Sequence, residues 1–182
     1  MFKNVSIHDI DLHNISIAHS MGSIGGLCVG RTEVIDHQRL SGAGYCFSAS
    51  APPFTTNAAI TSLNILRNEP QLVSALNENT KYMIEKLSKE CNHLSIRSQD
   101  ISPIIHLELN EDYEDEEAKT LLASISKECL SRGIYIPNAK YTALTKNVPP
   151  PTLRLTVNAI HTKAEIDKAV ATLVEVCNKL LK

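Results

Sequence analysis

The sequence predicts an α/β chain in two parts. Three stretches in the second half carry apolar residues at helical spacing, and short alternating runs separate them. Pro70 interrupts the chain ahead of these elements. The first half holds two strand-like runs, a polar turn-rich stretch and one helix. Residues 68–182 read as a small α+β domain, and residues 1–67 as the remnant of a larger one.

Taken in order, "VSIHDIDLHNISIAH" and "GGLCVG" read as two strands joined by the loop "SMGS". "RTEVIDHQRLSGAGYCFSASAPP" reads as a polar extended segment ending in a double proline. A helix follows in "FTTNAAITSLNILRN", with Ala58, Ile60, Leu63 and Ile65 near helical spacing. After Pro70 a long amphipathic helix spans roughly 71–91, carrying Leu72, Leu76, Tyr82, Met83, Ile84 and Leu87. "LSIRS" and "SPIIHLELN" are strands, the second with Ile105, Leu107 and Leu109 on one face and Glu108 on the other. "DYEDEEAKTLLASISKECLSRG" is a helix with acids in its first turn and Gly133 as its C-cap. "IYIP" reads as a short strand, "NAKYTALTKNVPPP" as a loop and "TLRLTVNA" as an alternating strand. The closing helix carries a Thr162/Glu165 capping box and lysines in its last turn.

The first 67 residues lack the means to bury a core alone, because an isolated two-stranded unit is marginal in water. They are expected to need a sheet to join. Expressed alone, the two strands are expected to expose an unpaired edge and to aggregate.

Composition excludes several function classes. The net charge of -2 argues against nucleic-acid binding as the main activity. No apolar run reaches the length of a membrane helix, and "MFKNVSIHDIDL" lacks a signal-peptide core. The five cysteines, Cys28, Cys46, Cys91, Cys129 and Cys177, are scattered without a C-x-x-C pair, as expected of reduced thiols. His8, His13 and His19 are spaced five and six apart, which fits neither one helix face nor a zinc-finger pair, so no metal site is expected.

The stretch "IAHSMGSIGGLCVGR" looks like a loop built to hold a cofactor, although a tight turn needing positive φ would account for its glycines. The longer run "GSIGGLCVGRTEVIDHQRLSGAGYCFSASAPP", with "PPPTLRLTVNAIHT", resembles the α-oxoamine synthase family of pyridoxal-phosphate enzymes. Within that family it is most similar to the non-catalytic long-chain-base subunits of serine palmitoyltransferase. The resemblance covers nearly the whole chain but only the C-terminal part of such a subunit. It implies a pyridoxal-phosphate-dependent transferase fold of type I, here the end of the large cofactor domain plus a complete small domain.

The resemblance also implies roles for particular residues. Catalytic members carry a Schiff-base lysine in this loop, and His19 occupies its position. The nearest lysine upstream is Lys3. An imidazole cannot form the imine, so the chain is not expected to catalyse alone. A hydroxyl in "YCFSASAPP", from Ser48 or Ser50, is implied to reach the phosphate of the partner subunit's cofactor; the other reading has Ser50 capping the next helix. His37, Gln38, Arg39 and Tyr45 are implied to lie at the dimer interface. Arg154 matches the second arginine of an R-L-R element that helps hold the substrate carboxylate. Thr152 replaces the first arginine, and a strand-end arginine paired with a surface acid stands as the other reading.

The function so implied is a non-catalytic subunit. It would form a heterodimer with a catalytic, lysine-bearing serine palmitoyltransferase subunit, which holds the pyridoxal 5'-phosphate. The complex condenses L-serine with a long-chain acyl-CoA to 3-ketosphinganine, on the cytosolic face of the endoplasmic reticulum. Two other readings are a protein-binding pseudoenzyme fragment with no role at an active site and, least favoured, an enzyme that uses something other than lysine.

Overall fold

The hairpin that opens the fold is held in register by its glycines. β1 (Leu12–Ser16) pairs antiparallel with β2 (Gly26–Gly30), Leu12 facing Gly30 and Ser16 facing Gly26. A Cβ on Gly30 would stand 2.4 Å from the Asp11 carbonyl oxygen, closer than any side chain allows. The computed structural model describes Ser6, residues 9–98 and residues 101–181. The start of the expected first strand, with Val5, Ile7 and His8, lies outside the described residues, as do Lys3 and Lys182. The chain divides into two compact units at Pro70.

The segment expected to be extended after β2 is helical. α1 (Thr32–Ser41) contains neither glycine nor proline, and Glu33 and Arg39 at its ends complement the helix dipole. Helix propensity over ten residues prevails there over the polar character that suggested a loop. Gly42 ends α1, its N–H donating to the Gln38 carbonyl at 2.7 Å. A Cβ on Gly42 would lie 2.6 Å from that same oxygen. The short α2 (Ala43–Cys46) follows, and neither helix buries a residue.

α3 (Pro53–Asn68) starts with proline in its first turn, where the missing N–H costs nothing. Its N-cap is Pro52, without a side-chain cap bond, so Ser50 does not cap it. Its buried residues are Thr55 and Ala59, with Ser62 and Leu66 half-buried on the same stripe. Ile60, Leu63 and Ile65 are exposed. Two hydroxyl bonds select this face: Ser23 Oγ donates to the Thr55 carbonyl at 2.7 Å, and Ser62 Oγ to the Met21 carbonyl at 2.8 Å.

The second unit is a three-stranded antiparallel sheet with helices on one face. α4 (Gln71–Glu90) begins directly after Pro70, which disfavours helical geometry at Glu69 and so separates α3 from α4. The strand order is β3 (Leu94–Ile96), β4 (Ile104–Leu109), β5 (Leu153–Thr156), with Leu94 facing Leu109 and Ile105 facing Leu155. Alternation puts Ile105, Leu107, Leu153 and Leu155 on the inner face, all buried. Against them pack Met83 and Leu87 from α4, Leu122 and Ile125 from α5 (Asp115–Ser131), and Ile166, Val170 and Leu173 from α6 (Lys163–Leu180).

Both expected helix ends in this unit form. Gly133, at φ 82°, lets α5 close in a Schellman turn: its N–H reaches the Leu130 carbonyl at 2.9 Å, and the Ile134 N–H reaches Cys129 at 3.0 Å. The Thr162/Glu165 capping box opens α6. "IYIP" is not a strand. Pro137 has no N–H to donate, and the Ile136 carbonyl is taken by Ser126 Oγ at 2.6 Å, so only an isolated bridge from Asn138 to Leu153 forms.

Two predictions follow from this packing. Leu173 is fully buried, so Leu173→Ala should cost about 2–5 kcal/mol in urea unfolding followed by circular dichroism. At the α4–α6 contact the Tyr82 hydroxyl donates to Asp167 Oδ1 at 2.7 Å and Lys86 stands 3.1 Å away. That hydrogen bond first, then Lys86, holds the Asp167 carboxyl below its ordinary value. Lys179 and Arg132 do the same for Glu128. A carboxyl depressed in the folded state stabilises above its unfolded value, about pH 4, and that contribution fades as pH falls through the folded value. Thermal midpoints should therefore drop on acidification below about pH 4, and Asp167→Asn should make that drop shallower.

Candidate functional site

The β1–β2 connection, residues 17–25, is an ordered loop. Ile17 is buried, and its N–H donates to the Gly25 carbonyl at 3.0 Å. Ser23 N–H returns to the Ile17 carbonyl at 2.9 Å, and Gly22 N–H to the His19 carbonyl at 3.1 Å. Gly22 and Gly25 have φ of 61° and 103°, a region that side chains disfavour, so the glycines are required by the turn. His19 projects from this scaffold with an exposed ring that has no hydrogen-bond partner among the described residues. The loop is shaped to present a side chain, and that side chain is an imidazole.

The residues present do not fit a covalently held pyridoxal phosphate. Such a cofactor needs a primary amine, and the chain has no lysine between Lys3 and Lys81. No group of three His, Cys, Asp or Glu side chains placed to hold a metal ion occurs among the described residues.

The interface candidates lie on the helices that follow. His37, Gln38 and Arg39 are on α1: His37 Nε2 stands 3.1 Å from Ser41 Oγ, the Gln38 carbonyl caps Gly42, and Arg39 pairs with Asp36 at 3.2 Å. Tyr45 is exposed on α2. Ser48 Oγ donates to the Gly44 carbonyl, whereas the exposed Ser50 hydroxyl has no partner among the described residues. Around them stand exposed large apolar side chains, among them Leu40 (82%), Phe47 (89%) and Phe54 (74%).

In the second unit the polar face of the sheet carries a separate group. Register places His106 opposite Arg154 across β4 and β5. Thr152 is buried and its Oγ1 meets His106 Nδ1 at 2.9 Å, which fixes the ring. Arg97 pairs with Glu108 at 3.0 Å along the same face. A cleft of about 430 Å³ opens there, lined by Arg97, Ser98, His106, Tyr141 and Thr152 among others. Arg154 is exposed and has no ion pair among the described residues, so the alternative of a surface acid partner does not form. Sequence reasoning singled out Thr152 only as a missing arginine. The alternation of β4, which sends residue 106 to the same face as Glu108, was the signal for its contact with His106.

A family model described as aminotransferase class I and II matches residues 8–173. The chain is 31% identical over 174 residues to "Serine palmitoyltransferase 1" of Dictyostelium discoideum, covering 92% of this chain and 36% of that protein. It is 35% identical over 179 residues to "Long chain base biosynthesis protein 1b" of Oryza sativa subsp. japonica, covering 97% of this chain and 37% of that protein. Among solved structures, it superposes with a TM-score of 0.81 on a lysine-to-alanine variant of S. paucimobilis serine palmitoyltransferase with a bound pyridoxal-phosphate–myriocin aldimine. That match has 22% identity and covers 94% of this chain and 41% of the other. The chain thus spans little more than a third of the length of these curated relatives, and its fold is the corresponding part of a pyridoxal-phosphate-dependent transferase. With the matched model running through both units, the chain belongs to the aminotransferase class I and II family.

Proposed function

We propose that this chain is a non-catalytic subunit of serine palmitoyltransferase, supporting a lysine-bearing partner that holds the pyridoxal phosphate. The observation that carries this reading is the glycine loop, intact in backbone and tethered to α3, with His19 where the family's lysine stands. The apolar side chains exposed on α1, α2 and the start of α3 supply a face for the partner, with His37, Gln38, Arg39 and Tyr45 at its polar positions. In this reading residues 1–67 end the cofactor domain and residues 68–182 form the small domain.

When bound in the partner, the cofactor supplies the electron sink for condensing L-serine with a long-chain acyl-CoA to 3-ketosphinganine. This chain contributes positioning. Ser50 is the better donor to the cofactor phosphate, since its hydroxyl has no partner among the described residues whereas Ser48 is already engaged with Gly44. Arg154, beside the His106–Thr152 pair, offers a guanidinium with no ion pair among the described residues for a carboxylate. The complex works at the endoplasmic reticulum, facing the cytosol. No helix among the described residues is long and apolar enough to cross a membrane.

Co-expression with a lysine-bearing subunit tests the proposal. The pair should co-purify and form 3-ketosphinganine from serine and palmitoyl-CoA, whereas this chain alone should show neither cofactor absorbance nor turnover. Recovery of the chain without that subunit would overturn the reading. In the assembled pair Ser50→Ala should weaken cofactor retention about 2- to 10-fold, the worth of one hydrogen bond, and Ser48→Ala should change it less. Assembly that leaves retention unchanged in both variants would instead identify a protein-binding module that serves no active site.

A further inference from the structure

Three basic side chains stand in one row across the polar face of the second unit's sheet. Arg97 follows β3 and continues its pairing, its N–H donating to the His106 carbonyl at 2.9 Å, and His106 faces Arg154 across β4 and β5. Residues directly opposite share a face, with their Cβ atoms about 5 Å apart. The row borders the cleft of about 430 Å³, a volume within the range of small-molecule sites.

The side chains of this cleft offer donors in excess. Arg97 gives one N–H to Glu108 Oε2 at 3.0 Å and keeps the rest of its fork. Ser98 Oγ accepts the His106 N–H at 2.7 Å, and its own proton has no acceptor among the described residues. The Tyr141 hydroxyl has no partner among them either. Thr152 is buried, and the one acceptor its hydroxyl meets among the described residues is His106 Nδ1, at 2.9 Å. A buried hydroxyl gives its proton to such an acceptor, so the neutral ring carries its hydrogen on Nε2. A charged ring carries one there as well, and His106 presents an N–H in either state. No acidic side chain occurs among the described residues that line the cleft. Glu108, beside it, is already held by Arg97 and by Ser95 Oγ at 3.5 Å.

We propose that this cleft binds a phosphate monoester, its phosphoryl oxygens taken by Arg97, Ser98, His106 Nε2 and Tyr141 and its organic group lying against Ile104 and Pro149. A phosphoryl group brings three strong acceptor oxygens, one more than a carboxylate. The donors come from the sheet, from the turn after β3 and from the loop that holds Tyr141, which suits a tetrahedral group better than a planar one. Ile104, 46% exposed on the same face, and Pro149 supply the apolar wall. Arg154, next in the row, adds positive charge at the rim. The site lies wholly within the second unit and needs neither a partner subunit nor its cofactor, so it stands or fails apart from the proposed function.

Isothermal titration calorimetry of the full chain with phenyl phosphate, benzoate and inorganic phosphate tests the site. Where a partner is needed to keep the chain soluble, the same titration is read on the complex and the variants assign the site. Phenyl phosphate should bind once per chain, and benzoate, with the same ring, at least about tenfold more weakly. Inorganic phosphate, without the ring, should also bind more weakly. Tyr141→Phe removes one hydroxyl from an exposed ring and should weaken phenyl phosphate about 2- to 10-fold. Arg97→Gln combined with Glu108→Gln removes the cation without stranding a carboxylate, and should weaken it at least about tenfold. Thermal midpoints without ligand confirm that both variants are folded. Vesicles of phosphatidylcholine containing phosphatidate distinguish the sources of the group: displacement of phenyl phosphate identifies a lipid headgroup, and no displacement a soluble ester. Absence of binding, benzoate binding as tightly as phenyl phosphate, or an affinity unmoved by both variants would overturn the inference.

Discussion

The second unit depends on closing one apolar face. Ile105, Leu107, Leu153 and Leu155 project from the same side of two neighbouring strands, and a sheet bearing such a row is stable only when covered. α4, α5 and α6 do the covering, and every other feature of the unit follows from their placement. The Schellman turn at Gly133 brings the chain back beneath the sheet after α5. The capping box at Thr162 sets the start of α6. The Asp167–Lys86–Tyr82 and Glu128–Arg132–Lys179 groups then join neighbouring helices at the rim, where charges remain hydrated. With the helices confined to one side, the opposite face of the sheet is left to polar residues, and the His106–Thr152 cleft lies there.

The first unit has no such cover. Its hairpin is two strands wide, α1 and α2 bury nothing, and α3 turns its smaller side chains inward while Ile60 and Leu63 face outward. Hydroxyl-to-carbonyl bonds from Ser23 and Ser62 do the work of side-chain packing in holding the loop to α3. Such bonds are directional but individually modest in net worth. A unit held this way keeps a well-defined loop while leaving a broad apolar surface available to another chain.

These contrasts support one functional picture. Gly22 and Gly25 fix the backbone of the β1–β2 loop, and in the proposed reading the side chain it presents, His19, stands where catalytic relatives carry lysine. The shape of a cofactor loop is set by φ angles and hydrogen bonds, whereas its chemistry rests on one primary amine. The first can therefore persist without the second. Arg154 and Ser50, whose side chains have no partner among the described residues, are the polar groups that the proposed function assigns to supporting roles.

Much of this was legible in the sequence. Period-two and period-3.6 patterns marked β4, β5, α4, α5 and α6, because in those elements one face is buried and the other is not. Local signals that act within a turn, such as Pro70, Gly133 and the Thr162/Glu165 pair, placed the element ends. The loop lacking lysine was readable too, since a missing amine is a matter of composition. Local backbone preference decided two elements that the patterns misled on, and tertiary structure decided the rest. The polar segment 32–41 formed a helix where polarity suggested an extended chain, and "IYIP" was denied strand status by one proline and one side-chain bond. Which face of α3 is buried followed from two hydroxyl bonds across 32 and 41 residues of sequence. The contacts of His106 with Thr152 and of Asn79 with the 158–161 turn join positions 46 and about 80 residues apart. No local pattern encodes such pairings, because they exist only once the sheet and helices have packed.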